Sequence, residues 1–363
     1  FMDGKFQEKT DLLIRDGRIS AIGTGLAAEG EELLDLGGDL LLPGFVDVHI
    51  HAFKGMDTMQ GEEAVRHMSR ELKKVGVAAF LPTTMSASPE DTVKALEGIK
   101  AVMDRPEPDG AIVLGAHMEA PFLAEAKAGA QLKQYFADPN EENWQRYTGG
   151  LESIVRLITM APERAGALDF IRELTKKGIT VSIGHTTADA ETTHAAAEAG
   201  ATHVTHTFNA QTPLNHRAPG VPGAALVDDR LQCEVISDGI HLHPDIVKLI
   251  IRVKGREKLV AITDAMEAAG MPDGKYQLGG QDVFVHEGAA RLKDGTLAGS
   301  TLTMVRAFQN LMRFGATPKE AALMTTQTPA LSIGNEELGE IELGAPAIFS
   351  RFDENYAFKG TVG

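Results

Sequence analysis

Six side chains of metal-ligand type draw attention first: His49 and His51, Glu119, His185, His206 and Asp264. His49-Ile50-His51 closes the apolar run that begins at Leu41-Leu42. If that run is a strand, alternation sends both imidazoles to one side, about 7 Å apart, within reach of a shared cation. Val46, Val48 and Ile50 then face the other way. Imidazole and carboxylate donors without a thiolate suit Zn²⁺ first, with Fe²⁺, Co²⁺ or Mn²⁺ as alternatives. A cation of this kind serves hydrolysis by activating water. Taken alone, His-x-His is equally a pair of hydrogen-bonded polar residues, so the elements that carry the other four decide the matter.

Those elements alternate. The strand ending at His51 is followed by strand-like segments at Val77 to Pro82, Ile112 to Glu119, Ile154 to Met160, Thr180 to His185, His203 to His206, Leu231 to Ser237 and Leu259 to Asp264. Helical stretches fall between them, at 61–75, 89–103, 165–177, 188–199 and 244–253, the second with Pro89 in its first turn. Eight strands in such an order predict an α/β fold, a (β/α)8 TIM barrel. An open doubly wound sheet is the alternative, disfavoured by the lack of a Gly-x-Gly-x-x-Gly turn after the first strand. In a closed barrel all six ligand-type residues sit at strand ends on one face, where barrel active sites are built. Of the remaining histidines, His67 and His194 read as helix-surface residues, His117 and His203 as out of phase with the ligands, His286 as part of a hairpin and His243 as a helix start. His241, after Ser237-Asp238-Gly239-Ile240, lies on the functional face as a substrate contact.

Short apolar runs at 12–14, 19–22, 33–34 and 40–42, punctuated by Asp16-Gly17 and Gly37-Gly38, read as β-hairpins. Leu338 to Gly344 and Ala347 to Phe349 are strand-like at the other end. Neither end buries a core alone, so the two are expected to pair as a small β-sandwich of residues 1–42 and 336–363, flanking a barrel of 43–335. Met266 to Thr296, rich in glycine, reads either as a surface hairpin or as a flap over the site.

The 363 residues carry 35 Lys and Arg against 51 Asp and Glu, a net charge of −16. That balance argues against nucleic acid or an anionic membrane as partner. Any anionic substrate then needs a local cluster of donors. The single Cys233 excludes an internal disulfide framework and, among apolar neighbours, reads as a small buried side chain. With no membrane-length apolar run and no signal peptide in view, a cytoplasmic protein is expected.

Several blocks together carry a resemblance: Leu42-Pro43-Gly44-Phe45-Val46-Asp47 into His49-Ile50-His51, Met118-Glu119-Ala120-Pro121-Phe122, Gly184-His185-Thr186, Thr205-His206-Thr207-Phe208-Asn209-Ala210, Ser237-Asp238-Gly239-Ile240-His241, Ile262-Thr263-Asp264-Ala265 and Leu297 to Met304. In these the chain resembles the N-acetylglucosamine-6-phosphate deacetylases, a branch of the amidohydrolase superfamily. The resemblance implies hydrolysis of the acetamido group of a small phosphosugar by metal-activated water, giving acetate and glucosamine 6-phosphate. It implies Glu119, His185 and His206 as ligands, a second ion at His49 and His51 sharing Glu119, and Asp264 as general acid/base. It further implies that Asn209 and Ala210 offer backbone N–H groups, that Leu297 borders the sugar, and that Arg217 and His241 meet the phosphate, Arg217 across a homodimer interface.

Two positions depart from the pattern. Glu119-Ala120-Pro121 stands for the usual Glu-Gly-Pro, and Gln131 for a substrate-contacting histidine. Glutamine still hydrogen-bonds a sugar hydroxyl, which leaves N-acetylgalactosamine 6-phosphate open as the substrate. A cyclic amidohydrolase is disfavoured because 154–160 holds no lysine, and a non-catalytic scaffold because no ligand position is lost.

Overall fold

In the computed structural model, residues 10–26 and 32–363 are described; the rest of the N-terminal β unit expected above lies outside them. Eight parallel strands form the centre: β1 (Phe45–Ile50), β2 (Val77–Thr84), β3 (Ala116–Met118), β4 (Val155–Met160), β5 (Thr180–Ile183), β6 (His203–Val204), β7 (Gln232–Ile236) and β8 (Leu259–Ile262). They hydrogen-bond in that order, each parallel to the next. A ninth piece, Ile112–Val113, pairs with β2 and is cut off from β3 by Gly115 at φ +148°. The strand residues of β1 and β2 are buried throughout, as expected of strands covered on both faces.

Closure of the ring rests on Asp47. Its buried carboxylate accepts from Thr263 Oγ1 at 2.6 Å and from the backbone N–H groups of Thr263 and His49 at 3.3 Å, tying β1 to the end of β8. Burial pushes this carboxyl up to about 6, against the pull of the Thr263 hydrogen bonds. The Asp264 N–H adds a 2.8 Å bond to the His49 carbonyl. The barrel (β/α)8 is therefore a near-closed ring.

Eight helices follow the strands in turn: α1 (Glu62–Lys74), α2 (Pro89–Asp104), α3 (Glu141–Thr148), α4 (Ala167–Lys176), α5 (Ala190–Ala199), α6 (Gly220–Val227), α7 (Pro244–Lys254) and α8 (Met304–Arg313). Local chemistry starts and orients them. Ser88 caps α2 by accepting from the Asp91 N–H, with Pro89 at the first position. In α1, Glu62 and Glu63 open the helix and Lys73 and Lys74 close it, complementing the helix dipole. Ala64, Val65, Met68 and Leu72 of α1 bury one stripe against the barrel. One core runs through all these layers, with Phe45, Phe80, Phe122 and Trp144 fully buried. Each such side chain contributes roughly 1.5–3 kcal/mol by leaving water.

Both chain ends pair beside the barrel. Asp11–Arg15 and Arg18–Gly23 form the expected hairpin, Asp16 and Gly17 lying at φ +52° and +70° as a two-residue turn of this hand requires. Leu40–Pro43 pairs antiparallel with Phe349–Phe352, which pairs with Phe358–Val362. Ile19, Ile341, Ala347 and Phe349 form a common small core between these two sheets. Two expected strands are absent. Leu33 and Leu34 lie in irregular chain and are exposed. The stretch Leu338 to Gly344 is not extended, because Gly339 and Gly344 take positive φ of 91° and 84°.

Cys233 is fully buried in β7, where burial pushes its thiol up to about 11. Its folded-state value lies above that of a free thiol, so thiolate is disfavoured in the native protein across the neutral range. An aromatic disulfide reagent at pH 8 is expected to leave the native protein unlabelled and to titrate one thiol after denaturation. Rapid native labelling would contradict this packing.

Candidate metal centre and active site

The ends of the strands carry the ligand-type residues, and three of them need an unusual backbone to do so. His185, His206 and Asp264, just past β5, β6 and β8, have φ of +46°, +28° and +49°. Such conformations cost about 1–3 kcal/mol in a non-glycine residue and persist where surrounding structure enforces them. Before His185, a Cβ on Gly184 would lie 2.6 Å from Thr205 Cβ and 2.7 Å from Thr159 Cγ2. Only glycine lets the strand pass there, so β5 delivers His185 to the barrel mouth.

At that mouth the six residues form two adjoining groups, Glu119 with His185 and His206, and His49 with His51 and Asp264, every one buried. In the first, Glu119 Oε1 lies 3.2 Å from His185 Nε2 and 3.1 Å from His206 Nε2, and the two nitrogens are 3.1 Å apart. In the second, His51 Nε2 lies 3.3 Å from His49 Nε2 and 3.2 Å from Asp264 Oδ1. Glu119 joins them, its Oε2 3.2 Å from His51 Nε2. The other ring nitrogens fix the tautomers. His185 Nδ1–H donates to the Lys127 carbonyl at 2.7 Å, His206 Nδ1–H to that of Asn209 at 3.2 Å, His51 Nδ1–H to that of Thr83 at 3.3 Å, and His49 Nδ1–H to Glu234 Oε2 at 3.1 Å. Four bare Nε2 lone pairs and two carboxylates thus converge, an arrangement that repels itself unless a cation stands between them. Donor separations near 3.1–3.3 Å match a ligand tripod around an ion with bonds of about 2.0–2.2 Å. The residues fit a divalent metal.

The electrostatics agree. Burial pushes Glu119 upward, yet His185 and His49 overcome it and hold the carboxyl well below the usual range. Asp264 is likewise lowered, burial being outweighed by His49 and His51. Burial opposes charge on His51, but Asp264 and Glu119 raise it well above the ordinary histidine value. The field that favours protons on these imidazoles is the field a cation would meet, so metal binding displaces protons.

His51, Glu119, Gln131, His185, His206, Asn209, Ala210, His241, Asp264 and Leu297 all line one cavity of about 310 Å³, with Lys127 at its edge. His49 lies beneath it, fully buried. Arg217 is not brought to the cavity; it is exposed on the loop after Gln211. The Asn209 N–H is also committed elsewhere, donating to the His206 carbonyl at 2.9 Å, so Asn209 clasps His206 from both sides. Gln131 is held by Ser86 N–H, which donates to its Oε1 at 2.7 Å, while its Nε2 donates to Glu119 Oε2. It therefore orients the shared carboxylate as well as lining the cavity.

The region after Asp264 is built of hairpins, as one of the two readings of it expected, and it borders the site. Gly274–Leu278, Gln281–His286 and Ala289–Leu292 form a three-stranded antiparallel sheet. Leu278, Val283, Val285 and Ala290 pack it on Met85 and Met266, and Leu278 and Leu297 wall the cavity.

His117, read from the sequence as out of phase with the ligands, is corrected by the structure, and Asp238 and Glu234 carry no role in that reading. His117 shares parity with Glu119 and points into the barrel, its ring 4.5 Å from that of His49, between Thr83 Oγ1 and Thr159 Oγ1. Asp238 accepts from His241 Nδ1–H at 2.6 Å and turns its other nitrogen toward the cavity. Glu234 is a single charge in the apolar run of β7, and that isolation was the available signal.

A barrel whose rim gathers such ligands beside a carboxylate is a metal-assisted hydrolase of the TIM-barrel class. The amidohydrolase family profile matches residues 40–360, and the chain belongs to the amidohydrolase family, in the branch of the N-acetylglucosamine-6-phosphate deacetylases. The N-acetylglucosamine-6-phosphate deacetylase of Lysinibacillus sphaericus is 37% identical over 98% of this chain and 92% of its own length. An N-acetylgalactosamine-6-phosphate deacetylase of Escherichia coli O157:H7 is also 37% identical, over 93% of this chain and 88% of its own. The structure of an aspartate-to-alanine mutant of the Mycobacterium smegmatis deacetylase, in complex with N-acetyl-D-glucosamine 6-phosphate, superposes with a TM-score of 0.90 at 32% identity, covering 97% of this chain and 93% of that one. Among the described residues no helix is long and apolar enough to cross a membrane.

Proposed function

We propose that this chain hydrolyses the acetamido group of N-acetylglucosamine 6-phosphate, releasing acetate and glucosamine 6-phosphate. The observation that carries the reading is the pair of adjoining ligand groups, with Glu119 of one in contact with His51 of the other and Asp264 open to the same cavity. A divalent ion, Zn²⁺ by the imidazole and carboxylate donors, supplies Lewis acidity toward the amide carbonyl and acidifies water when bound there. Glu119, His185 and His206 would hold it, and His49 and His51 would hold a second. Asp264 accepts a proton at its carboxylate as water attacks the carbonyl carbon, then returns it to the departing nitrogen. Its side chain, 11% exposed, reaches the cavity while resting on His51.

The phosphate end needs donors. His241, oriented by Asp238, and the Ala210 loop face the cavity. Arg217 is exposed on its own subunit and fits a role at the partner's cavity in a homodimer. Arg217→Ala is expected to raise KM for the phosphorylated sugar about 10- to 100-fold, the worth of a charged hydrogen bond, with kcat little changed. Mixing it with inactive Asp264→Asn subunits should restore a fraction of activity, since one mixed site then holds both residues. Steady-state kinetics check this; an unchanged KM removes Arg217 from the site.

The galactosamine relative, equal in identity, supports the 4-epimer as a second substrate reading. Acetate release from the two phosphosugars, compared as kcat/KM, decides between them. No release from either sinks the proposed function.

A further inference from the structure

Beneath the cavity, Glu234 is fully buried, and only one of its oxygens is used. Oε2 accepts from His49 Nδ1–H at 3.1 Å and from the His206 backbone N–H at 3.4 Å, while Oε1 has no partner. A buried carboxylate facing only neutral donors is costly. Nor do nearby side chains neutralise it: Glu119 and Asp264 add two more buried carboxylates, and among the described residues lining the cavity Lys127 is the one fixed cation. Asp47, also buried and accepting from the His49 N–H, is a fourth, and four negative groups exceed the charge of one divalent ion and equal that of two. The bond to His49 also acts on geometry. By holding the proton on Nδ1, Glu234 leaves the Nε2 lone pair aimed at the space between His51 and Asp264, 3.3 Å from His51 Nε2 and 3.6 Å from Asp264 Oδ1.

We propose that Glu234 is a positioning residue for the second cation: through the His49 ring it sets how tightly the His49, His51 and Asp264 group holds its ion, while it meets the first group only at the His206 backbone N–H, a contact that glutamine keeps. This rests on the metal-dependent reading above and goes beyond it in assigning a carboxylate outside both ligand groups. Partners of this kind, which orient and polarise a ligating imidazole, change metal affinity by about 10- to 100-fold when removed.

The test is metal stoichiometry and affinity of the full chain, titrated with Zn²⁺ alone after chelation. Wild type is expected to bind two ions per chain. Glu234→Gln, which keeps the shape and an acceptor but removes the charge, should weaken the second ion about 10- to 100-fold and leave the first unchanged. His49→Gln, which leaves Glu234 in place, should reproduce the single-ion state, and adding Glu234→Gln to it should change nothing further. Equal weakening of both ions, no weakening, or a full Glu234→Gln effect in the absence of His49 overturns the proposal. So does wild type that binds one ion, a result that leaves deacetylation by that ion standing. Wild type that binds two ions yet releases no acetate instead overturns the proposed function, and leaves the role of Glu234 to the titrations.

Discussion

Asp264→Asn is expected to lower kcat by about 10²- to 10⁴-fold, the usual worth of a positioned acid/base, with KM changed little. Asparagine preserves the volume and the contact to His51, but its amide cannot take a proton from water or hand one to a leaving amine. The Glu119, His185 and His206 group does not include Asp264, so at least that ion should remain bound. The variant then separates proton transfer from metal loss: acetate release is measured beside metal content and sugar binding. Because Asp264 N–H also closes the barrel by donating to the His49 carbonyl, and asparagine keeps that amide, folding should be intact. Residual turnover near wild type, with metal bound, would remove Asp264 from the proton path.

Much of this site was legible because barrel geometry converts sequence position into spatial position. His49, Glu119, His185, His206 and Asp264 are spread over more than half the chain, yet each closes an apolar run, and strand ends in a barrel share one rim. The hairpin at Asp16-Gly17 was legible for a local reason, the turn demanding positive φ at both residues. What stayed hidden has physical causes too. α6 carries Pro222 and Gly223 and is buried nearly all round, so it lacks both helix composition and an amphipathic stripe. β6 is two residues long, His203–Val204, below the length at which alternation can be read. Glu234 and His117 contribute from inside the barrel, where a polar residue in an apolar strand announces burial but not its partner.

The largest loss is expected from Glu119, because its two oxygens serve both ligand groups. Oε1 faces His185, His206 and, at 3.5 Å, His49; Oε2 faces His51 and is held by Gln131. Substituting alanine removes one ligand from each group and a charge that draws cations to both. Metal content after dialysis should fall to near zero equivalents, and acetate release by at least about 10³-fold, since several kcal/mol of transition-state stabilisation go with the ion. Thermal melts give a readout independent of turnover. A ligand binding only the folded state at 100 times its Kd adds about 2.7 kcal/mol, so wild-type Tm should climb with added Zn²⁺ and the variant's should not. His51→Ala is the control: it touches one group alone, and so should keep one ion and part of the Tm response. If Glu119→Ala instead kept one tightly bound ion, the two groups would be separate sites, and the shared carboxylate on which the proposed chemistry depends would not be shared.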